Sequence, residues 1–181
     1  MAVTLVTGNR NKAAEFSLLL GKVDVIHAEY PEIRSDDPAE IAKVAAKFVS
    51  DKLGKAIVVE DSGLFIDALG GFPGTYTKWV TAKVGNKGIL ALMRGVKNRR
   101  CFYRSAVAYC KPGGEPVCFI GSQEGKIARR EAGKKGWGND PIFIPKGKSK
   151  TYAQLKNPAE PGRFRIDAIM QLRDFLSARD N

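Results

Sequence analysis

Glu60 and Asp61 stand side by side at the end of a short apolar run, residues 56–59. Two carboxylates in such a place lose hydration unless a cation or hydrogen-bond donors meet them. Neighbouring side chains of an extended chain point to opposite faces, so one acid can bind a metal while the other orients it or activates water. Their oxygens suit magnesium, with manganese as the alternative. Taken alone, a Glu-Asp pair is equally ordinary turn chemistry. Thr7-Gly8-Asn9-Arg10-Asn11-Lys12 places small polar groups and a lysine where an apolar run meets a helical pattern. A helix N-terminus attracts anions. The G-x-x-x-x-G-K-[ST] phosphate loop is absent, however, and a Gly-Asn turn alone is more often a plain connection. Glu40 follows Asp37-Pro38-Ala39 and reads as the acid of a capping box, a role that needs no metal. Trp137-Gly138-Asn139-Asp140 offers an aromatic face with amide and carboxylate groups, suited to stacking on a base or to anchoring a core. Arg163-Phe164-Arg165 fits phosphate or purine-carbonyl recognition as well as it fits an exposed basic turn before the last helix.

The elements that must carry these residues follow from periodicity. Residues 2–6 read as a strand and residues 11–20 as a helix, with Phe16, Leu19 and Leu20 at helical spacing. A second strand is expected over 23–28. The next helix starts at Asp37-Pro38, with Ile41, Val44, Ala45 and Phe48 as its buried face. Residues 56–59 form a strand that runs into a turn at Glu60-Asp61-Ser62-Gly63, the strand end where α/β folds place ligands. Gly70-Gly71-Phe72-Pro73-Gly74 marks a tight loop before helices over 78–83 and 87–93. Two long strands, 100–110 and 117–130, meet at Pro112-Gly113-Gly114 as a hairpin. A short apolar piece, 142–144, precedes a final helix that buries Ile166, Ile169, Met170, Phe175 and Leu176. Early βα units with a late hairpin predict an α/β mixed sheet.

With 181 residues and 44% hydrophobic side chains, the chain can close a core as one domain, and no second domain is required. Its apolar runs fall short of the roughly 20 residues of a membrane span, and the first seven residues lack a secretory pattern. A cytoplasmic protein without membrane partners is expected. Cys101, Cys110 and Cys118 are odd in number and form no CxxC pair, which argues against zinc and disulfides and for buried thiols. Thirty Lys and Arg against nineteen Asp and Glu give +11. Such a surplus draws polyanions, nucleotides and nucleic acids alike. The cations gather late in the chain and the acids early.

In order and spacing, three blocks resemble the ITPase-like nucleotide pyrophosphatase family over almost the whole chain. They are Thr7-Gly8-Asn9-Arg10-Asn11-Lys12, Val59 to Leu64 continued by Ala68 to Tyr76, and Gly136-Trp137-Gly138-Asn139-Asp140-Pro141-Ile142-Phe143. The resemblance implies an elongated mixed sheet whose helices form two lobes around a central nucleotide cleft, and a homodimer. It implies hydrolysis of ITP, dITP and XTP to the monophosphate and pyrophosphate, with a nucleoside triphosphate as substrate and no stable nucleic-acid partner. By similarity, Thr7, Gly8, Asn9 and Lys12 hold the triphosphate, and Ser62 and Gly63 contact phosphate from their turn. Glu40 and Asp61 carry magnesium, and Asp61 and Lys12 act in catalysis, Asp61 by activating water. Trp137 takes the place of the base-stacking aromatic, Asp140 reads the base, and Lys156 and Arg165 reach the nucleotide. Two departures bear on base choice: Phe164 stands where the family has histidine, and Asn139 where it commonly has tyrosine. A basic nucleic-acid-binding protein and a pyrophosphatase for modified pyrimidine nucleotides are the competing readings.

Overall fold

The computed structural model describes residues 3–155 and 162–178. Among the described residues seven strands form one mixed sheet: β1 (Val3–Val6), β2 (Val23–Ile26), β3 (Ile57–Ile66), β4 (Pro73–Gly74), β5 (Arg100–Cys110), β6 (Val117–Ile127) and β7 (Phe143–Pro145). The order is β2-β1-β3-β5-β6-β7, with β4 paired to β3. β1 runs parallel to β2 and β3, whereas β3–β4 and β6–β7 are antiparallel. Four α-helices among the described residues accompany them: α1 (Arg10–Leu20), α2 (Pro38–Leu53), α3 (Thr77–Leu92) and α4 (Arg163–Ser177). The expected α/β mixed sheet and the hairpin of β5 and β6 are both present. No described helix is long and apolar enough to cross a membrane.

The chain divides into two compact units. The first holds Met1–Asp61, Ser105–Gly121 and Arg163–Asn181, and the second Ser62–Arg104 and Ser122–Gly162. In the first, strand alternation builds two cores. Val3, Leu5, Val58, Val107 and Tyr109 pack with Phe16 of α1 and Ala168, Ile169 and Leu172 of α4. Val6, Ile57, Val59, Ala106, Ala108 and Cys110 face α2 instead. The strands are therefore apolar on both faces, as a covered parallel sheet requires. The expected inward face of α2 is one residue out. Ala42, Ala45, Ala46 and Val49 are buried, while Val44 and Phe48 are each more than a third exposed, at 38% and 39%. The helical period is kept, but alanines let the helix lie close to the sheet and turn the bulkier side chains outward.

The second unit is knit by aromatic rings. Phe65 stacks on Phe102 at 5.0 Å, and Phe143 meets Tyr103 at 4.7 Å and Tyr152 at 5.2 Å. Its helix α3 unites the two short helices expected from sequence, with a kink at Gly85, φ 62°. Strand β3, whose residues are shared between the two units, corrects the expected turn at Glu60-Asp61-Ser62-Gly63, because the strand runs on to Ile66. Leu64–Ile66 are buried, and β4 pairs with them in the register Leu64↔Gly74. Gly63 permits that pairing, since a Cβ there would overlap the Gly74 carbonyl. The thiols also need correction: Cys101 and Cys110 are buried, but Cys118 is only half-buried. Burial pushes Cys101 up to about 12 and Cys118 up to about 11, which leaves no reactive thiolate at either.

Candidate active site

The residues singled out at the N-terminus form a self-capped helix start. Asn9 is the N-cap of α1, its Oδ1 accepting from the Asn11 and Lys12 amides at 2.9 and 3.3 Å. Thr7 Oγ1 in turn accepts from the Asn9 amide at 3.1 Å, and Gly8 lies exposed between them. This cap fixes the first turn of α1 and with it the direction of Lys12. The lysine Nζ lies 2.5 Å from Glu60 Oε2 and donates to the Glu60 carbonyl at 3.2 Å. Both of these Lys12 contacts go to a single residue, Glu60.

The two acids of β3 separate as the strand period requires. Glu60 shares the face of Val58 and turns toward α1 and α4, where it is 8% exposed. Ser105 Oγ donates to its Oε1 at 2.6 Å, and Arg165 Nε donates to the same oxygen at 3.1 Å. Arg165 Nη1 donates to Glu15 Oε2 at 2.6 Å. Burial alone would raise the Glu60 carboxyl, but Arg165 and then Lys12, with hydrogen bonds from Lys12 and Ser105, hold it well below the usual carboxylate range. Burial likewise opposes the charge on Arg165, and Glu60 and Glu15 outweigh it and raise its pKa. The result is a chain of alternating charge, Glu15–Arg165–Glu60–Lys12, buried up to its half-buried Lys12 end, with Ser105 beside Glu60.

Asp61 falls on the opposite face, with Ile57 and Val59, the face that α2 covers. There it is half-buried. Tyr30, packed at the rim of that core, has its phenol pKa raised by burial and then by the charges of Glu32, Asp61 and Glu60. Glu40 lies in the first turn of α2 and is exposed. It does not close the expected capping box. Asp37 caps α2 by accepting from the Ala39 amide at 2.9 Å, the Asp37 amide donates to Ser35 Oγ at 3.0 Å, and Glu40 Oε2 accepts from Ser35 Oγ at 2.6 Å. Ser35 has taken the backbone bond that the box would have given the acid. The first unit thus brings together Thr7, Asn9, Lys12, Glu60 and Arg165 around one face of β3, and sets Asp61 on the other face, the side covered by the helix that carries Glu40.

In the second unit, Asp140 Oδ2 accepts from the Trp137 amide at 2.8 Å, which fixes the glycine-flexed loop around a half-buried indole. Asn139 is 2% exposed, and its Nδ2 donates to Asn86 Oδ1 at 2.8 Å and Thr81 Oγ1 at 3.1 Å. It ties the loop to α3. Ser62 is half-buried in β3. The reading of Arg163-Phe164-Arg165 as an exposed turn gives way to the first turn of α4, in which only Arg163 is exposed and Phe164 and Arg165 are buried. Lys156 lies outside the described residues. Sequence reasoning missed Glu15 and Ser105. Glu15 carried a signal, since it stands one helical turn beyond Lys12 and next to the fully buried Phe16, whereas Ser105 carried none.

The Ham1 family model matches residues 3–175. The chain belongs to the Ham1 family. It is 45% identical over 159 residues to a dITP/XTP pyrophosphatase of Methanopyrus kandleri, covering 86% of this chain and 85% of that one. With a dITP/XTP pyrophosphatase of Pyrobaculum aerophilum it shares 40% identity over 99% of this chain and 98% of the relative. Among solved structures, the Staphylococcus aureus Ham1 protein superposes with a TM-score of 0.85 at 27% identity, over 99% of this chain and all of that one. The Ham1 fold therefore accounts for both compact units.

Proposed function

We propose that the chain hydrolyses non-canonical purine nucleoside triphosphates, dITP and XTP with ITP, to the monophosphate and pyrophosphate. The reading takes its substrate class from the dITP/XTP pyrophosphatases that cover nearly all of the chain. One observation about the chain itself carries it: adjacent carboxylates of one strand have different surroundings, Glu60 neutralised by Lys12 and Arg165 and Asp61 on the α2 face. Adjacent acids with separated environments suit separate tasks.

In this reading, Thr7, Gly8, Asn9 and Lys12 bind the triphosphate chain. Glu60 keeps the Lys12 ammonium in place, so its charge stands ready for developing negative charge on the leaving group. Asp61 accepts a proton from water as the water oxygen joins phosphorus. The anhydride bond to pyrophosphate then breaks, the leaving oxygen keeps the electron pair, and no covalent enzyme intermediate forms. Among the described residues no group of three or more His, Cys, Asp and Glu is placed to hold a metal. Two carboxylates, Glu40 and Asp61, nonetheless fit magnesium or manganese, which take their other ligands from phosphates and water. Held there, the cation would draw charge from the phosphate oxygens. Ser62 and Gly63 contribute as part of β3, and Trp137 and Asp140 contact the base. Arg165 acts through Glu60 rather than on the nucleotide, and Asn139, spent on Thr81 and Asn86, holds the loop.

A pyrophosphate-release assay with magnesium across dITP, XTP, ITP, the ordinary triphosphates and modified pyrimidine triphosphates tests the reading. Asp61→Asn should lower turnover by about 10²–10⁴ while nucleotide binding persists. Preference for a modified pyrimidine would replace the substrate class, and turnover unchanged in Asp61→Asn would remove the base. A homodimer and a cytoplasmic setting belong to the same proposal, and sedimentation equilibrium checks the first.

A further inference from the structure

Charge is divided unevenly between the two units. The first holds 13 Lys and Arg against 14 Asp and Glu, whereas the second holds 17 against 5. The first unit therefore carries a net −1 and the second a net +12, so the second unit holds the whole surplus of the protein. Part of it converges on a hollow of about 460 Å³ lined by Lys97, Arg99, Arg100, Lys126 and Arg129 with the apolar Ile144. All of these residues belong to the second unit, and none belongs to the Lys12–Glu60 cluster.

The hollow is built rather than a chance gathering of long side chains. Arg99 forms its frame, donating from Nε to the Ile127 carbonyl at 2.7 Å, from Nη1 to Met93 at 2.9 Å and from Nη2 to Ala128 at 2.6 Å. These partners are neutral, so the guanidinium is fixed without being neutralised. Burial and then the nearby charge of Arg129 lower its pKa, the mark of cations held together. Asn98 Oδ1 accepts from the Arg100 amide at 3.0 Å and shapes the turn that carries Lys97. Two acids lie near. Asp67 reaches Arg100 at 3.5 Å on the surface, and Glu124, which also acts on Arg100, is engaged by Lys146 at 2.5 Å. Among the described residues no carboxylate pairs with Lys97, Lys126 or Arg129.

Five cations around such a volume call for a compact anion of high charge. Among the described residues no aromatic ring lines the hollow, so they offer a nucleobase nothing to stack on, and single-stranded nucleic acid loses one of its two usual holds. Arginine forks and lysine ammonium groups match phosphate oxygens. We propose that the hollow is a second anion site of this protein, a docking site for a short polyphosphate chain, free or carried by a nucleotide. It concentrates that chemistry on the second unit independently of which base the enzyme prefers.

The test is a backbone-amide NMR titration of the full chain with inorganic tripolyphosphate, without divalent cations. Amides of residues 97–100 and 126–129 should shift and saturate, and Lys126→Glu with Arg129→Glu should weaken that binding about tenfold or more. A control pair, Lys148→Glu with Lys150→Glu, changes the charge of the same unit equally and should leave the affinity within about twofold. All four side chains are exposed, and melting curves check that both variants fold. If the hollow pair melts lower, Lys97→Glu replaces it. Parallel titrations with pyrophosphate and a non-hydrolysable nucleoside triphosphate identify which form of the chain binds best, and saturation at these amides by either supports the site. Absence of saturation, equal weakening by both pairs, or tighter binding of single-stranded oligonucleotides with affinity rising with length would each overturn it. The pyrophosphate-release assay is unaffected by that outcome, so a failure here leaves the proposed reaction standing.

Discussion

The two units handle charge in opposite ways. In the first, opposite charges are buried together: Glu15, Glu60 and Arg165 are each less than 10% exposed and satisfy one another. In the second, like charges are left at the surface, and its interior is held by stacked and edge-on rings. Buried charge is costly to strand and fixes geometry, whereas exposed charge is cheap to change and acts at a distance. The positioned Lys12 and Glu60 therefore belong to the first unit, and the proposed second anion site to the second.

The sharpest way to break this contrast is to remove the central cation. Arg165→Met leaves Glu15 and Glu60 buried with their main counter-charge gone, and unfolding by urea should show a loss of about 3–5 kcal/mol. A loss near zero would mean that the charge chain is ornament. A smaller effect is expected from Glu60→Gln, which keeps acceptance from Ser105 but ends the attraction to Lys12 and Arg165. Because the folded pKa of Glu60 is depressed, its contribution is complete above the unfolded value of about 4.3 and disappears as pH falls toward the folded value. Wild-type stability should thus drop in acid below about pH 4.3, and the variant should drop less over the same window. The second unit should lose least. Asn139→Ala strands the hydrogen bonds to Thr81 and Asn86 but leaves the aromatic core intact, and thermal melts should report about 1 kcal/mol. A larger loss there than in Arg165→Met would invert the comparison.

Much of the site was legible because its signals are local. Asn9 caps α1 where the Thr-Gly-Asn turn was read, and the separation of Glu60 from Asp61 follows from the strand period alone. Other residues were misread for equally physical reasons. Glu40 looked like a capping acid because the spacing fits, yet Ser35 sits close enough to take both bonds. Ser62 and Gly63 looked like a turn because polar and glycine residues follow an apolar run. The pairing of β4, which needs Gly63 bare, keeps them in the strand. Arg165, assigned to the nucleotide by resemblance, makes its bonds to Glu60 and Glu15, partners far away in the sequence.

The fold family, the reaction class that the motifs resemble, and the opposite faces of the two acids are all readable from the order of residues or from short periods. Only the tertiary structure decided which charges meet. Arg165 pairs with Glu60 across 105 positions and with Glu15 across 150, separations that no local pattern encodes. The inward face of α2 was decided the same way, by how closely small side chains allow a helix to approach the sheet. The hollow on the second unit arises likewise, because Arg99 binds the end of one helix to the end of a strand and gathers cations that the sequence shows only as a scattered excess.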